Sequence, residues 1–274
     1  MLTAQQRALQ QEVIHELGVQ AEIDVLAERK RRVQFLVDYL QQSNSRALVL
    51  GISGGVDSLV AGFLAQQAVE TLRAQGGQAQ FYAMRLPYGV QQDEQDALDA
   101  LRCIQPDHHE VVDIQPATDA LVAQLEDKQG LPEAERDYII GNIKARQRMV
   151  AQYARAAAVS GLVVGSDQAP EALMGYFTKY GDGAADVMPL AGLTKAQVRA
   201  IAQSYAAPDN LVHKVPTADL ESGRPLLPDE VAFGISYDQI DAFLCNQAVS
   251  PQVFEVIMRH YRAGAHKRQL PARP

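Results

Sequence analysis

Apolar residues recur at helical spacing through Ile23, Leu26, Val33, Leu36, Val37 and Leu40, so EIDVLAERKRRVQFLVDYLQQ reads as an amphipathic helix. Four other stretches lack that period. ALVLGIS, AQFYAMRL, HEVVDI and GLVVGS are short apolar runs rich in valine and aromatic residues, of the length and composition buried on both faces of a parallel sheet. Helical patterns separate them: SLVAGFLAQQAVETLRAQ follows the first run, DEQDALDALRCI the second, and ERDYIIGNIKARQRMVAQYARAAAVS precedes the fourth. Strands alternating with helices predict a doubly wound α/β sheet, in which ligands sit at the carboxyl ends of the strands. Beyond GLVVGS the chain is expected to be loop-rich, closing with the helices TKAQVRAIAQSYA, SYDQIDAFLC and PQVFEVIMRHYRA. No internal repeat or low-complexity linker divides the 274 residues, which suit one domain.

Composition narrows the function. A formal charge of -8 argues against holding nucleic acid by bulk electrostatics, while leaving room for a local basic site for small anions. The two cysteines, Cys103 and Cys245, lie far apart and read as reduced thiols rather than a disulfide or zinc framework. The N-terminal MLTAQQRALQQEVIHELG is polar, and no run reaches the roughly 18 apolar residues of a membrane span. A cytoplasmic protein is the expectation.

Candidate chemistry begins in the turn after the first apolar run, GISGGVDS. Gly51, Gly54 and Gly55 are expected to allow positive φ and close approach of a ligand, while Ser53, Ser58 and the first amides of the next helix offer donors to an anion. No lysine follows, so this is not the lysine-bearing loop of phosphate-transferring proteins. S-G-G-x-D-S directly after a strand resembles the pyrophosphate-binding loop of the ATP pyrophosphatase group, which cleaves ATP to AMP and pyrophosphate. In that group the aspartate, here Asp57, helps to bind magnesium. Such a loop suits carboxylate activation: backbone amides and Mg²⁺ neutralise a departing pyrophosphate, and no phosphoryl group has to be passed on.

Longer blocks choose among the group's activities. RLPYGVQQDEQDA, GNIKARQRM, GSDQAPEALMGYFTKYGDGAADVMPLAGLTK, KVPTADL with RPLLPDE, and the terminal HKR together resemble the bacterial ammonia-dependent NAD synthetases over nearly the whole chain. The resemblance implies a Rossmann-like fold of the adenine nucleotide alpha hydrolase type. Its plan is a single unit over 1–274, with an N-terminal helix at 20–43, a nucleotide-binding core at 45–206 and C-terminal loops and helices at 207–274. It also implies amidation of deamido-NAD by ATP, Mg²⁺ and free ammonia in a homodimer.

Carried onto this sequence, the family's ATP site falls on Gly51, Ile52, Ser53, Gly54, Gly55, Val56, Asp57 and Ser58, with Arg85, Ser166, Lys195 and Thr217. Ser166 stands where threonine is more familiar and keeps the hydroxyl. Asp57, Lys195 and Thr217 carry the catalytic assignment, and Asp57 with Glu171 the magnesium. Deamido-NAD falls to Arg146, Lys179, Asp186, His266 and Lys267.

Bland readings compete with several of these. Arg146 lies in the charged run KARQR, ordinarily a solvated helix face. Thr194 is an ordinary helix cap, and the lysine after it opposes the helix dipole unless a phosphate neutralises it. Glu171 follows Pro170, where a first-turn carboxylate aids capping. His266 and Lys267 lie in a tail that would otherwise fray. The adjacent His108 and His109 read as solvated loop residues, and Glu126, Asp127 and Lys128 as surface charge. With the synthetase blocks spread over the whole chain, no room remains for a thiol glutaminase, so ammonia is the expected donor. LPYGVQQDE and KVPTADLESGRPLLPDE are the candidate lids over the site. A non-catalytic nucleotide sensor, a tRNA thiolase and a GMP synthetase-like amidase remain as alternatives at this stage.

Overall fold

A computed structural model describes residues 2–91, 93–125, 130–218, 220, 223 and 226–273. The surface charges read at 126–128 and parts of both candidate lids lie outside that set. Two helices, α1 (Ala4–Glu16) and α2 (Val25–Gln42), precede the sheet. The α/β alternation then runs β1 (Ala47–Gly51), α3 (Val56–Ala74), β2 (Gln80–Arg85), α4 (Glu94–Ile104), β3 (His108–Val111), α5 (Gln115–Leu125), α6 (Glu133–Ala158) and β4 (Gly161–Val163). After it come α7 (Ala169–Met174), α8 (Lys195–Ser204), α9 (Asp209–Val212), the hairpin β5 (Thr217–Ala218) and β6 (Leu227–Pro228), then α10 (Asp229–Phe233), α11 (Tyr237–Leu244), α12 (Pro251–Ala263) and α13 (Ala265–Arg268).

The four main strands form a parallel sheet in the order β3-β2-β1-β4, with Ala47 opposite both Gln80 and Gly161. Helices cover both faces. On one, Leu36 and Leu40 of α2, Leu59 and Leu64 of α3 and Ile201 of α8 pack with Leu48 and Phe81 of the sheet. On the other, Val49, Met84 and Val163 meet Ala156 of α6. A separate cluster joins Val13, Leu173, Phe243 and Ile257, so α1, α7, α11 and α12 form a helical annex beside the sheet. Burial on both faces explains why the strands read as continuous apolar runs. The chain direction across the sheet reverses between β1 and β4, and a crevice opens there at the carboxyl ends of the strands.

Several local expectations change. The first helix predicted within 20–43 begins at Val25, because the Asp24 carboxylate caps it by accepting from the Ala27 amide at 2.8 Å. It is not simply amphipathic, since Glu28 and Arg32 are buried in it as an ion pair, and Arg32 also donates to the Pro189 and Ala191 carbonyls. Helix α1 shows only a narrow apolar stripe, Leu9, Val13 and Leu17, and one of its buried contacts is polar: the Gln10 amide donates to Phe243 O at 2.8 Å. His108 and His109 lie in edge strand β3, not in a loop, and His108 stacks on Tyr82 at 4.2 Å between ring centres. The stretch after β4 holds the short helices α7, α9 and α10, too brief to show a period. Among the described residues no helix is long and apolar enough to cross a membrane.

Candidate active site

The turn from β1 to α3 lies at the crevice, and its three glycines do three different things. Gly54 alone among them has positive φ, at 86°. A Cβ there would sit 2.7 Å from Ala97 N and 2.9 Å from the Asp96 carbonyl carbon, so its lack of a side chain serves close packing on α4. Gly51 has ordinary φ, and its amide donates to Gln152 Oε1 at 2.8 Å. Gly55 is the cap residue of α3 and makes no side-chain cap. The expectation of positive φ at all three glycines therefore fails at two.

The hydroxyls also differ from expectation. Ser58 Oγ donates to Gly55 O at 3.1 Å and accepts from Ser53 N at 3.3 Å, and Ser53 Oγ accepts from Gly55 N at 3.3 Å. They brace the turn upon itself. Ile52 and Val56 are buried, and the Ile52 amide is taken by Met84 O at 2.8 Å. The first helical bond of α3 runs from Leu59 N to Gly55 O, which leaves the amides of Val56, Asp57 and Ser58 at the open end of a 19-residue helix. Those amides and the helix dipole make the anion cradle.

Beneath the cradle is a buried ionic hub. Lys195, 1% exposed at the start of α8, donates to Asp57 Oδ2 at 2.6 Å and lies 4.8 Å from the centre of the Tyr237 ring. The lysine that seemed to need a phosphate at the helix end thus has a carboxylate partner. The end of α8 is stabilised separately, by Asp241 of α11, which accepts from the amides of Lys195 at 3.1 Å and Ala196 at 2.8 Å. Tyr237 donates its hydroxyl to Asp229 Oδ2 at 2.8 Å, closing the hub against the start of α10.

Glu171 caps a helix and also lies on the cleft wall. Its Oε2 accepts from Gln168 N at 3.3 Å at the start of α7, and its side chain lines the cleft with Asp57 and Lys195. Burial, then the Asp57 carboxylate, push its carboxyl well above the usual range. Burial, then Asp182 and Asp57, do the same to Asp167. Lys195 is pulled the other way: burial disfavours its charge, but Asp57 and Glu171 outweigh that and raise it, so it stays an ammonium. Carboxylates held this close repel one another until a cation joins them. Asp57 Oδ1 is buried with no hydrogen-bond partner among the described residues. No group of three or more His, Cys, Asp or Glu side chains forms a ready-made cage among the described residues. Two hard carboxylate donors with one unsatisfied oxygen fit Mg²⁺, which takes few protein ligands and completes its shell with phosphate oxygens and water.

The cleft has a volume of about 450 Å³, and Ser166 and Thr217 line it with the cradle. Of the dinucleotide residues, Lys267 lines the cleft, and Arg146, Lys179 and His266 form a chain of contacts that ends beside it. Arg146 of α6 donates to Lys179 O at 3.2 and 3.3 Å, and Lys179 Nζ donates to His266 O at 2.6 Å. Lys267 Nζ reaches Gly175 O and Phe177 O, both at 2.9 Å, so the tail is pinned rather than frayed. Asp186 is apart from this chain, accepting from Val163 N at 2.7 Å at the end of β4. Arg85 is buried and ion-paired with Glu94 and, like Arg146, Lys179, Asp186 and His266, is not among the residues lining the cleft. Asp93, Asp167, Arg148, Lys214 and Asp229 line the cleft and were not singled out in the sequence. All five lie inside blocks that carried the resemblance, but nothing local marks which charge in such a block points inward.

A family model described as NAD synthase matches residues 28–271. The NH(3)-dependent NAD(+) synthetase of Paraburkholderia phytofirmans is 53% identical over 270 residues, covering 97% of this chain and 94% of that protein. The protein of the same name from Streptomyces coelicolor is 55% identical over 269 residues, covering 97% and 98%. Among solved structures, NAD+ synthetase from Burkholderia pseudomallei superposes with a TM-score of 0.84 at 50% identity, over 97% of this chain and 98% of that one. NMN synthetase from Francisella tularensis gives 0.80 at 34%, over 92% and 99%. With the family model spanning the cradle, the hub and the rim alike, this chain belongs to the NAD synthase family.

Proposed function

We propose that this chain is an ATP-dependent ligase that amidates deamido-NAD with ammonia, forming NAD, AMP and pyrophosphate. The observation that carries the reading is the Asp57–Lys195 pair at the open end of α3, in a cleft lined also by Ser166, Thr217 and Lys267, with Arg146, Lys179 and His266 bonded to one another beside Lys267. The rim cations face the dinucleotide phosphates, and Asp186 sets the end of β4 beside them. Ser166 and Thr217 hold the nucleotide. A nicotinate carboxylate oxygen attacks the α-phosphorus of ATP, the bond to the β-phosphate oxygen breaks, and pyrophosphate leaves with the electron pair. The amides of Val56, Asp57 and Ser58 are already aimed at that charge, so little reorganisation is needed as it develops. Ammonia then adds through its lone pair to the acyl carbon, the bond to AMP breaks, and the surplus proton goes to solvent.

Asp57 and Glu171 are the residues that would hold Mg²⁺, which supplies charge neutralisation at the phosphates. Lys195 fixes Asp57 Oδ2, leaving Oδ1 to face the ion. Ammonia rather than glutamine fits the thiols: burial, then neighbouring aspartates, raise both Cys103 and Cys245 above their ordinary values, the opposite of an activated nucleophile. Exposed Leu121 and Leu125 on α5 with Ile139 and Val150 on α6 support a homodimer through this side, which sedimentation would test.

Incubation with ATP, Mg²⁺, ammonium and deamido-NAD is expected to yield NAD, AMP and pyrophosphate in equal amounts. ADP as the product, or ATP turnover without NAD, overturns the proposal. Glutamine in place of ammonium is expected to give no NAD.

A further inference from the structure

The loop itself carries no lysine, and the lysine beneath it is committed. Lys195 is fully buried and bonded to Asp57, so much of its charge is cancelled within the protein. Arg148 is held by Leu86 O at 3.0 Å, and Lys267 is bonded to two carbonyls on the far rim. Lys214 is different. It lies between α9 and β5, lines the cleft with Gly55, Asp57 and Thr217, and among the described residues bonds to two carboxylates, Asp93 Oδ2 at 2.7 Å and Asp96 Oδ2 at 2.8 Å.

Those carboxylates place its ammonium over the cradle. Asp96 belongs to the first turn of α4, and the Asp96 Cβ lies 3.0 Å from where a Cβ on Gly54 would be. The positive φ of Gly54 thus brings the start of α4, and Lys214 with it, against the anion turn. One ammonium facing two carboxylates beside a polyphosphate site is an arrangement that an incoming anion can compete for. The carboxylates keep another source of stabilisation when the lysine leaves, because both sit at the N-terminus of α4, where the dipole favours negative charge. Phosphate oxygens offer the ammonium charge-assisted bonds of the same kind.

We infer that Lys214 is a phosphate-binding residue: on ATP binding its ammonium leaves Asp93 and Asp96 and donates to the β- and γ-phosphate oxygens that depart as pyrophosphate. No proton is transferred. Lys214 supplies the cation that the S-G-G-x-D-S loop lacks, from 121 residues beyond its resting partner Asp93. The inference rests on the ligase reading above.

The test is equilibrium binding of pyrophosphate and of AMP, each alone with Mg²⁺, to the full chain and its variants. Lys214→Met is expected to weaken pyrophosphate binding about tenfold or more, the loss of a charge-assisted contact, with AMP binding nearly unchanged. Lys214→Arg should retain most of the affinity. The double variant Asp93→Asn with Asp96→Asn releases the lysine and should tighten pyrophosphate binding by roughly threefold or more, by removing the resting competitor. Unchanged pyrophosphate affinity in Lys214→Met, equal losses for pyrophosphate and AMP, or no gain in the double variant overturns the inference. The double variant decides alone if Lys214→Met does not fold. Pyrophosphate failing to bind the unaltered protein would instead overturn the ligase reading, and this inference with it.

Discussion

On the phosphate side of the cleft the functional side chains are fixed by other buried side chains; on the dinucleotide rim they reach for backbone carbonyls near solvent. Lys195 meets Asp57 and Tyr237 in the interior, whereas the exposed Arg146 donates to Lys179 O, and Lys179 to His266 O. The difference follows from what each side must do. A departing pyrophosphate needs charges already in place, since moving them during the reaction would cost the stabilisation they provide. A large substrate needs an entrance, and cations parked on carbonyls can be released to phosphates without leaving a buried charge behind.

Removing one partner from the interior pair is therefore the most damaging change. Lys195→Met is expected to cost about 3–5 kcal/mol of stability, the penalty for stranding a buried carboxylate, and to reduce NAD formation roughly a thousandfold. Adding Asp57→Asn should recover part of the stability, though not the activity. Urea denaturation of both singles and the double checks this, and strictly additive losses would show that the two sides do not differ in coupling.

The cradle's glycines give the next largest contrast. Gly54→Ala places a Cβ at positive φ and 2.7 Å from Ala97 N, and is expected to cost about 2–4 kcal/mol. Gly55→Ala meets nothing nearer than Ser53 Oγ at 3.5 Å, so only the weaker cap, about 1 kcal/mol, is lost. Thermal denaturation of the pair separates them, and equal losses would contradict the packing assigned to Gly54.

On the rim, Arg146→Ala is expected to leave stability within about 0.5 kcal/mol while raising KM for deamido-NAD roughly tenfold with kcat little changed. A fall in kcat alone would move Arg146 to the reacting side. The smallest effect is one of pH. Glu171 holds its proton more tightly folded than unfolded, so folding takes up protons above the usual carboxylate range. The stability it contributes is complete below its unfolded value, near pH 4.3, and is lost as pH rises toward the folded one. The urea midpoint of the unaltered protein relative to Glu171→Gln should fall between pH 5 and pH 8. A flat difference would remove Glu171 from the strained interior and place it with the rim.

Much of this molecule was legible in its residues because the signals are local. The runs ALVLG, QFYAMR and GLV became strands and the periodic stretches became helices α2, α3, α4, α6, α8, α11 and α12, close to the bounds that capping and spacing implied. Helix α1 shows only a narrow apolar stripe, Leu9, Val13 and Leu17, beside the buried polar anchor Gln10, within an otherwise polar segment. At the site, the turn sequence marked the cradle and the longer blocks marked the family. The partner of Arg85 was not legible in the same way: a buried arginine needs an anion, and Glu94, nine residues on, provides one.

What the sequence alone determined is the order of the four sheet strands and the periodic helices, the anion turn at the end of β1, and the absence of a lysine from it. Periodicity and turn chemistry act over a few residues, so they survive without knowledge of the fold. Only the tertiary structure decided which charges meet. Asp57 and Lys195 are 138 positions apart, and Lys214 reaches Asp93 across 121. An ion pair depends on where two distant segments are brought in space, and here the sheet order β3-β2-β1-β4, with α8 packed on α3, makes that choice.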